Sequence, residues 1–277
     1  MSDVPGRRAR GDHGGHDDEG RAPGAVASAY ERVSGPLGDF ARTIEHGPRV
    51  LPGSVLTDPR WLARRVADTG RRWSHDDPRV NGTLWWYSAS SSLVAAPLTM
   101  LLTAGLAPDP RPERLTVSLQ PNGYLKAARS DRLLASVEEF ADALCQAHAE
   151  VIAALAEVSG ATPRALWAIA TDSIGNRALE AGRAGAGTPG GSVDGSDAGS
   201  AADAEAGTDR GAALAREICR PPLLPVRYVD VDGPERTRRF VRRSSCCLIY
   251  VATGGDKCVS CPRRTPQDRQ RQLLLRS

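Results

Sequence analysis

Four of the chain's six cysteines, Cys246, Cys247, Cys258 and Cys261, fall within sixteen residues. No other feature limits the fold of this part of the chain so strongly. A C-x2-C turn aims two thiolates at a common metal while backbone N–H groups point at the sulfurs, as in zinc and iron–sulfur sites. The adjacent pair is less accommodating. In extended backbone, neighbouring side chains point to opposite faces, so Cys246 and Cys247 do not easily close on one tetrahedral ion. A dinuclear centre tolerates more varied ligand directions. Gly254 and Gly255, in the loop between the two cysteine pairs, permit the positive-φ backbone of a loop folded round a cluster. In a reducing compartment such a group of cysteines binds metal rather than forming disulfides.

The compartment expected is the cytoplasm. Residues 1–24 are polar, of mixed charge and without an apolar h-region, so they do not read as a secretory signal. The longest apolar stretch, Leu93 to Ala107, contains Pro97 and two threonines and is shorter than the ~20 residues a spanning helix needs. No membrane span is expected, and peripheral association stays open.

Only 40% of the 277 residues are hydrophobic and 5% aromatic, with 28 Gly and 20 Pro, so part of the chain is expected not to pack. The organisation predicted is a disordered tail at 1–24, carrying His13 and His16 as solvated side chains. A mostly helical domain at 25–180 follows, then a flexible Gly/Ala/Ser/Asp-rich insertion at 181–210. The last part, 211–277, is a C-terminal module with a basic tail. The fold class is α+β: a mainly helical N-terminal region with a small β-hairpin, plus a small cluster-binding module.

Local signals support that outline. Asp58-Pro59 reads as an N-cap with Pro at the first helical position, and Gly70 as the stop. Ser136 and Glu139 form a capping box, and an apolar stripe runs from Val137 to Val158, ended by Gly160. Thr162-Pro163 opens another helix. Leu115 to Leu119 and Tyr124 to Ala128 read as a hairpin round Pro121, Asn122 and Gly123. A short helix is expected at about 211–219, and strands at Val226–Val231 and Arg239–Val241.

The run C-C-x10-C-x2-C-P, preceded by Arg242 and Arg243, resembles the C-terminal [2Fe–2S] domain of the FhuF-like ferric siderophore reductases. Weaker resemblances lie in Trp167 to Leu179, with Asn176, and in Asn81 to Pro97. Val259-Ser260 stands where a glycine is expected between the last two cysteines. The resemblance implies a [2Fe–2S] cluster on four thiolates, Cys246, Cys247, Cys258 and Cys261. It also implies one-electron reduction of ferric siderophores, of hydroxamate type, with release of Fe(II) in the cytoplasm. The chemistry is coherent: a hexadentate siderophore holds Fe(III) far more tightly than Fe(II), so one electron loosens the complex.

No dinucleotide fingerprint, P-loop, nucleophile elbow or H-E-x-x-H motif is present, so electrons are expected from an external donor such as a ferredoxin-like protein. Arg236 to Ser277 holds eleven basic and two acidic residues, net +9, whereas the whole chain is +3. A four-thiolate [2Fe–2S] cluster carries −2 oxidised and −3 reduced. Arg242, Arg243 and Lys257 are therefore expected to favour the reduced state and to steer an acidic donor.

Two other classes compete: a zinc-stabilised nucleic-acid-binding protein using the Arg-rich segment on phosphates, and an iron–sulfur sensor without turnover. Zinc ribbons usually use two C-x2-C pairs. The basic segment has only Phe240 and Tyr250 as aromatics and no recognition helix, so no nucleic acid is expected. Cys145 and Cys219 read as unreactive thiols and His148 as a core histidine. Trp85, Trp86 and Tyr87 read as an aromatic core cluster, with stacking on a siderophore as the alternative.

Overall fold

The computed structural model describes residues 23–32, 49–185, 197–234 and 236–276. His13, His16 and the expected tail up to residue 22 lie outside these. Residues 23 and 24 are not tail, because helix α1 (Pro23–Arg32) starts there. The architecture is α+β with the bulk helical, as expected.

Helices α2 (Pro59–Trp73) and α3 (Pro78–Ala104) start in the same way. The carboxylates of Asp58 and Asp77 accept the N–H of Arg60 and of Arg79, each at 2.8 Å, and a proline occupies the first turn. Each cap satisfies an otherwise orphan donor. The expected stop at Gly70 is not a stop, since α2 runs three residues further. A Cβ at Gly70 would lie 2.6 Å from Asn81 Nδ2, so this glycine serves the close approach of α2 and α3.

Helix α3 is the spine of the core. Trp85 and Trp86 are fully buried on it beside Ala89, Val94 and Leu98, and Phe140, Leu144 and Leu155 of α4 (Val137–Ser159) pack in the same cluster. Half of the expected capping box is present at α4: Ser136 Oγ accepts the Glu139 N–H at 3.1 Å, while the Glu139 carboxylate faces Arg132, and Gly160 ends the helix at φ 70°. Helix α5 (Pro163–Gly185) brings Leu166, Ile169 and Ile174 into that core.

Strand β1 (Val50–Pro52) pairs with β3 (Leu115–Leu119), and β3 with β4 (Leu125–Ser130), all antiparallel. The β3–β4 hairpin is the expected one, with Asn122 and Gly123 in its turn. A two-residue ladder joins β2 (Ala107–Pro108) to β5 (Leu133–Leu134). The later strands also form: β6 (Tyr228–Asp232) pairs antiparallel with β7 (Thr237–Val241).

The expected flexible insertion needs correction. Residues 181–185 complete α5, and α6 (Asp197–Ile218) absorbs both the rest of the described insertion and the short helix expected at 211–219. The Gly/Ala composition that reads as a linker is here a close-packed helix pair. A Cβ at Gly182 would sit 2.0 Å from the Gly207 carbonyl oxygen, and one at Gly211 would sit 2.1 Å from that of Ala178. Small residues let the two backbones touch, and Ala212, Leu214, Ala215 and Ile218 are buried from α6. Gly211→Val is therefore expected to cost about 1–3 kcal/mol in urea unfolding. Ala213→Val, on the exposed face, should cost only the helix-propensity difference, under about 1 kcal/mol. Equal stability of the two variants would restore the linker reading.

Candidate metal centre

Strand β7 delivers the chain into Arg242–Cys247, after which Leu248 adopts φ 62° and caps the short helix α7 (Ile249–Thr253). A left-handed leucine is strained by roughly 1–3 kcal/mol. It turns the chain straight after the adjacent cysteines. Gly254 takes φ 64° at the far end of α7, as the loop requires; Gly255 shows no positive φ. The Cys258-x2-Cys261 turn closes with Cys261 N–H on Cys258 O at 3.0 Å.

The four thiols meet in two pairs. Cys246 Sγ lies 3.8 Å from Cys261 Sγ, while Cys247 and Cys258 are brought together at Arg243 Nη1, at 3.8 and 3.6 Å, and shift each other's titration. The adjacent cysteines thus turn to different partners, as extended backbone favours. Two sulfurs about 2.3 Å from one tetrahedral metal lie about 3.8 Å apart, so the 246/261 pair has the spacing of two ligands on a single ion. Among the described residues, no three His, Cys, Asp or Glu side chains converge on one point.

The surroundings suit an anionic group. Arg243 is only 5% exposed, and its Nη1 lies 3.8 Å from Cys247 Sγ and 3.6 Å from Cys258 Sγ. Its Nη2 is buried without a hydrogen-bond partner among the described residues. A buried cation facing thiolates, with a donor still unsatisfied, fits an anionic cluster at this place. Burial works against the Arg243 charge, but Tyr87, Cys247 and Asp172 outweigh it and raise its pKa. The hydrogen bond from Cys258 holds Cys247 down to about 5, against burial and with help from Arg243 and the Ile249 N–H. The same bond, with burial, raises Cys258. The Leu248 N–H is directed at Cys246, whose thiol burial nevertheless raises. Cys247 and Cys261 are buried, whereas Cys246 and Cys258 are partly exposed, so one edge of the site faces solvent.

One residue joins this module to the helical body, and it carries no motif. Asp172 of α5, 2% exposed, accepts the Ser244 N–H at 2.8 Å, the Ser245 N–H at 3.1 Å and the Ser245 hydroxyl at 2.9 Å. Arg243 Nε lies 3.5 Å from the same carboxylate. Burial raises the Asp172 pKa, and these donors oppose it. Asn176, one turn on, donates to the Asp172 carbonyl at 2.8 Å. The available signal was an aspartate inside the otherwise apolar run Ala165–Thr171-Asp172; it carries no spacing to the cysteines and so passes unnoticed.

The expected basic surround separates into unlike parts. Arg243 alone of the three named cations lies against the sulfurs. Arg242 is exposed, and Lys257 is exposed with its Nζ on the Arg263 carbonyl at 3.1 Å. The tail is not a loose basic segment. Thr265 caps α8 (Pro266–Leu274), which buries Leu273, and Arg264 donates to the Cys258 carbonyl at 2.9 Å.

The remaining sequence candidates lie apart. Cys219 is pushed up to about 12 by burial, with Cys145 nearby, and Cys145 is raised by burial as well. His148 packs edge-on to Trp86, bonds the Leu144 carbonyl through Nδ1 and is lowered by burial to about 4, a core histidine. Trp86 donates to the Leu166 carbonyl at 2.9 Å, and both Trp85 and Trp86 are out of reach of a ligand. Tyr87 differs: its half-buried ring lies 4.9 Å from the Arg243 guanidinium.

Residues 243–263 match the FhuF 2Fe-2S C-terminal domain, and the match contains all four clustered cysteines together with Arg243. It supports an FhuF-like family and a [2Fe–2S] cluster as the cofactor. No curated protein matches the chain.

Proposed function

We propose that this chain is a cytoplasmic one-electron reductase of ferric siderophores that releases iron as Fe(II). The reading rests on one observation above the rest: four thiols gathered inside an FhuF-type 2Fe-2S segment, Cys246 beside Cys261 and Cys247 with Cys258 against a buried arginine. Among the described residues, no helix is long and apolar enough to cross a membrane.

When bound, a [2Fe–2S] cluster supplies a carrier of single electrons. Cys246 and Cys261 would hold one iron, Cys247 and Cys258 the other. Arg243 favours the more negative state by placing a fixed cation against two of the sulfurs. The Leu248 and Ile249 N–H groups add dipoles of the same sign. Asp172 fixes the turn that carries Arg243 and the first two cysteines. The substrate Fe(III) chelate gains one electron and becomes an Fe(II) chelate, which its oxygen ligands hold less tightly. The electron originates in an external one-electron donor. Exposed Arg242 and Lys257, away from the sulfurs, suit the docking of an acidic, ferredoxin-like protein.

The test is direct. The purified protein should be red-brown with two irons per chain. After anaerobic reduction, it should reoxidise on addition of a ferric trihydroxamate while an Fe(II)-specific chromogenic chelator gains colour at the same rate. A colourless zinc protein would return the nucleic-acid reading. A coloured protein that stays reduced in the presence of ferric chelates would be a sensor.

A further inference from the structure

A cavity of about 670 Å³ opens directly beside the cysteine module, between α3, α5, the β3–β4 hairpin and the last cysteine turn. Its size is that of a small-molecule site. Two of its lining residues belong to the metal centre. Arg243 reaches from the cavity wall to Cys247 and Cys258, and Ser260 is the residue immediately before Cys261. An occupant of this cavity is therefore one side chain away from the thiols.

The wall that α3 contributes is polar. Tyr87 and Ser88 line it from a run of the helix, residues 87–92, that contains four serines. Two of its cations are already committed. Arg243 faces Asp172 and the sulfurs, and Arg177 is held by Ser91 at 2.8 Å and by Glu180 at 2.6 Å. Lys126 of β4 is not committed: half-buried on the cavity wall, it has no ion pair or hydrogen bond among the described residues. It is also one of only two lysines among 36 basic residues. An ammonium on a flexible stem can adjust to oxygen acceptors of varied placement, which a forked guanidinium cannot.

We infer that this cavity is where the ferric chelate docks, with Lys126 as a binding residue that selects chelates of neutral or negative net charge presenting hydroxamate or carboxylate oxygens. The inference rests on the reductase reading for its substrate but concerns binding alone. The chelate lies against the Tyr87 ring and the serine hydroxyls, its outer oxygens take the Lys126 ammonium, and its metal centre stays beside the Arg243 and Ser260 wall. A chelate with a free ammonium group meets Lys126 as a like charge and is disfavoured.

Gallium(III) chelates separate docking from electron transfer, because Ga(III) keeps the shape of the Fe(III) complex and does not accept the electron. The probes are the Ga(III) complexes of a neutral trihydroxamate, desferriferrichrome, and of a cationic one, desferrioxamine B. Each is titrated calorimetrically into the full-length holoprotein. The wild type should bind the neutral complex more tightly. Lys126→Ala should weaken that binding about tenfold, as loss of a charged hydrogen bond does. Lys126→Arg should restore most of it, and Lys126→Glu should invert the charge preference. The visible spectrum and melting temperature should be unchanged throughout, since Lys126 supports no other residue. Wild-type affinity in both Lys126→Ala and Lys126→Glu, or no binding of either complex by the wild type, overturns the docking site. Tight, Lys126-dependent Ga(III) binding alongside failure to reduce the Fe(III) complexes would keep the site and sink the reductase reading instead.

Discussion

Serine at any one of positions 246, 247, 258 or 261 is expected to bleach the protein, leaving less than about a tenth of the wild-type chromophore and iron, because thiolate is the ligand that iron prefers here. Cys145→Ser and Cys219→Ser should leave the colour intact, since burial keeps both thiols protonated and away from the four. The pairing sharpens the expectation. If Cys246 with Cys261 and Cys247 with Cys258 each hold one iron, every single variant strips one of the two protein ligands from one metal. None of the four is then more dispensable than another. Iron analysis, absorption and paramagnetic resonance of the reduced form measure this. A variant among the four that keeps a full cluster, or a bleached Cys219→Ser, breaks the assignment.

How much of this was readable from residues alone depends on whether the signal was local. The four cysteines stand within sixteen positions, and the adjacency of two of them already argues against a single ion; the structure adds which sulfurs lie together. Helix caps at Asp58 and Ser136 and the hairpin at Asn122-Gly123 are likewise set by neighbours in sequence. The failures are contacts between distant segments. The stretch at 197–210 looked like a linker because Gly and Ala carry no periodic apolar stripe. What orders it is backbone against backbone at Gly182–Gly207 and Ala178–Gly211, an interaction that needs the absence of side chains. Gly70 reads as a stop because glycine terminates helices, whereas what it serves is the approach of the Asn81 side chain from α3. The basic surround misled in the opposite direction: three cations close in sequence to the cysteines were grouped together. Burial distinguishes Arg243 from Arg242, because the alternation of faces continues past the end of β7 and sends Arg242 outward and Arg243 inward. The cavity draws on four separate elements, so no window of sequence could show it.

The buried Arg243–Asp172 contact yields the second large effect, with a sign that can be worked out in advance. Asp172→Ala removes three hydrogen-bond acceptances, from Ser244 N–H, Ser245 N–H and the Ser245 hydroxyl, and leaves a guanidinium buried without its carboxylate. Breaking such a pair costs about 3–5 kcal/mol. The melting temperature should fall markedly and the cluster be lost on heating before the helical body unfolds. Two charge-deleting changes, of which only that at Asp172 is isosteric, report on electrostatics. Arg243→Gln deletes a cation under 4 Å from Cys247 and Cys258, which disfavours the added electron and should lower the midpoint potential. Asp172→Asn keeps the shape and one accepting oxygen, turns the other position into a donor that faces Ser244 or Ser245, and deletes a nearby anion, so it should raise the potential at some cost in stability. With an effective dielectric near 20, a unit charge about 4 Å away is worth about 4 kcal/mol, so the Arg243→Gln shift is on the order of 150 mV for one electron, and the shift from Asp172, which faces the far side of that guanidinium, is smaller. Because both groups are buried, the shifts should persist at high salt, where donor steering by exposed Arg242 and Lys257 fades. Protein-film voltammetry at two ionic strengths measures all of this. Shifts of the same sign from the two substitutions would mean that they act through a disturbed cysteine loop, not through the charge that each removes.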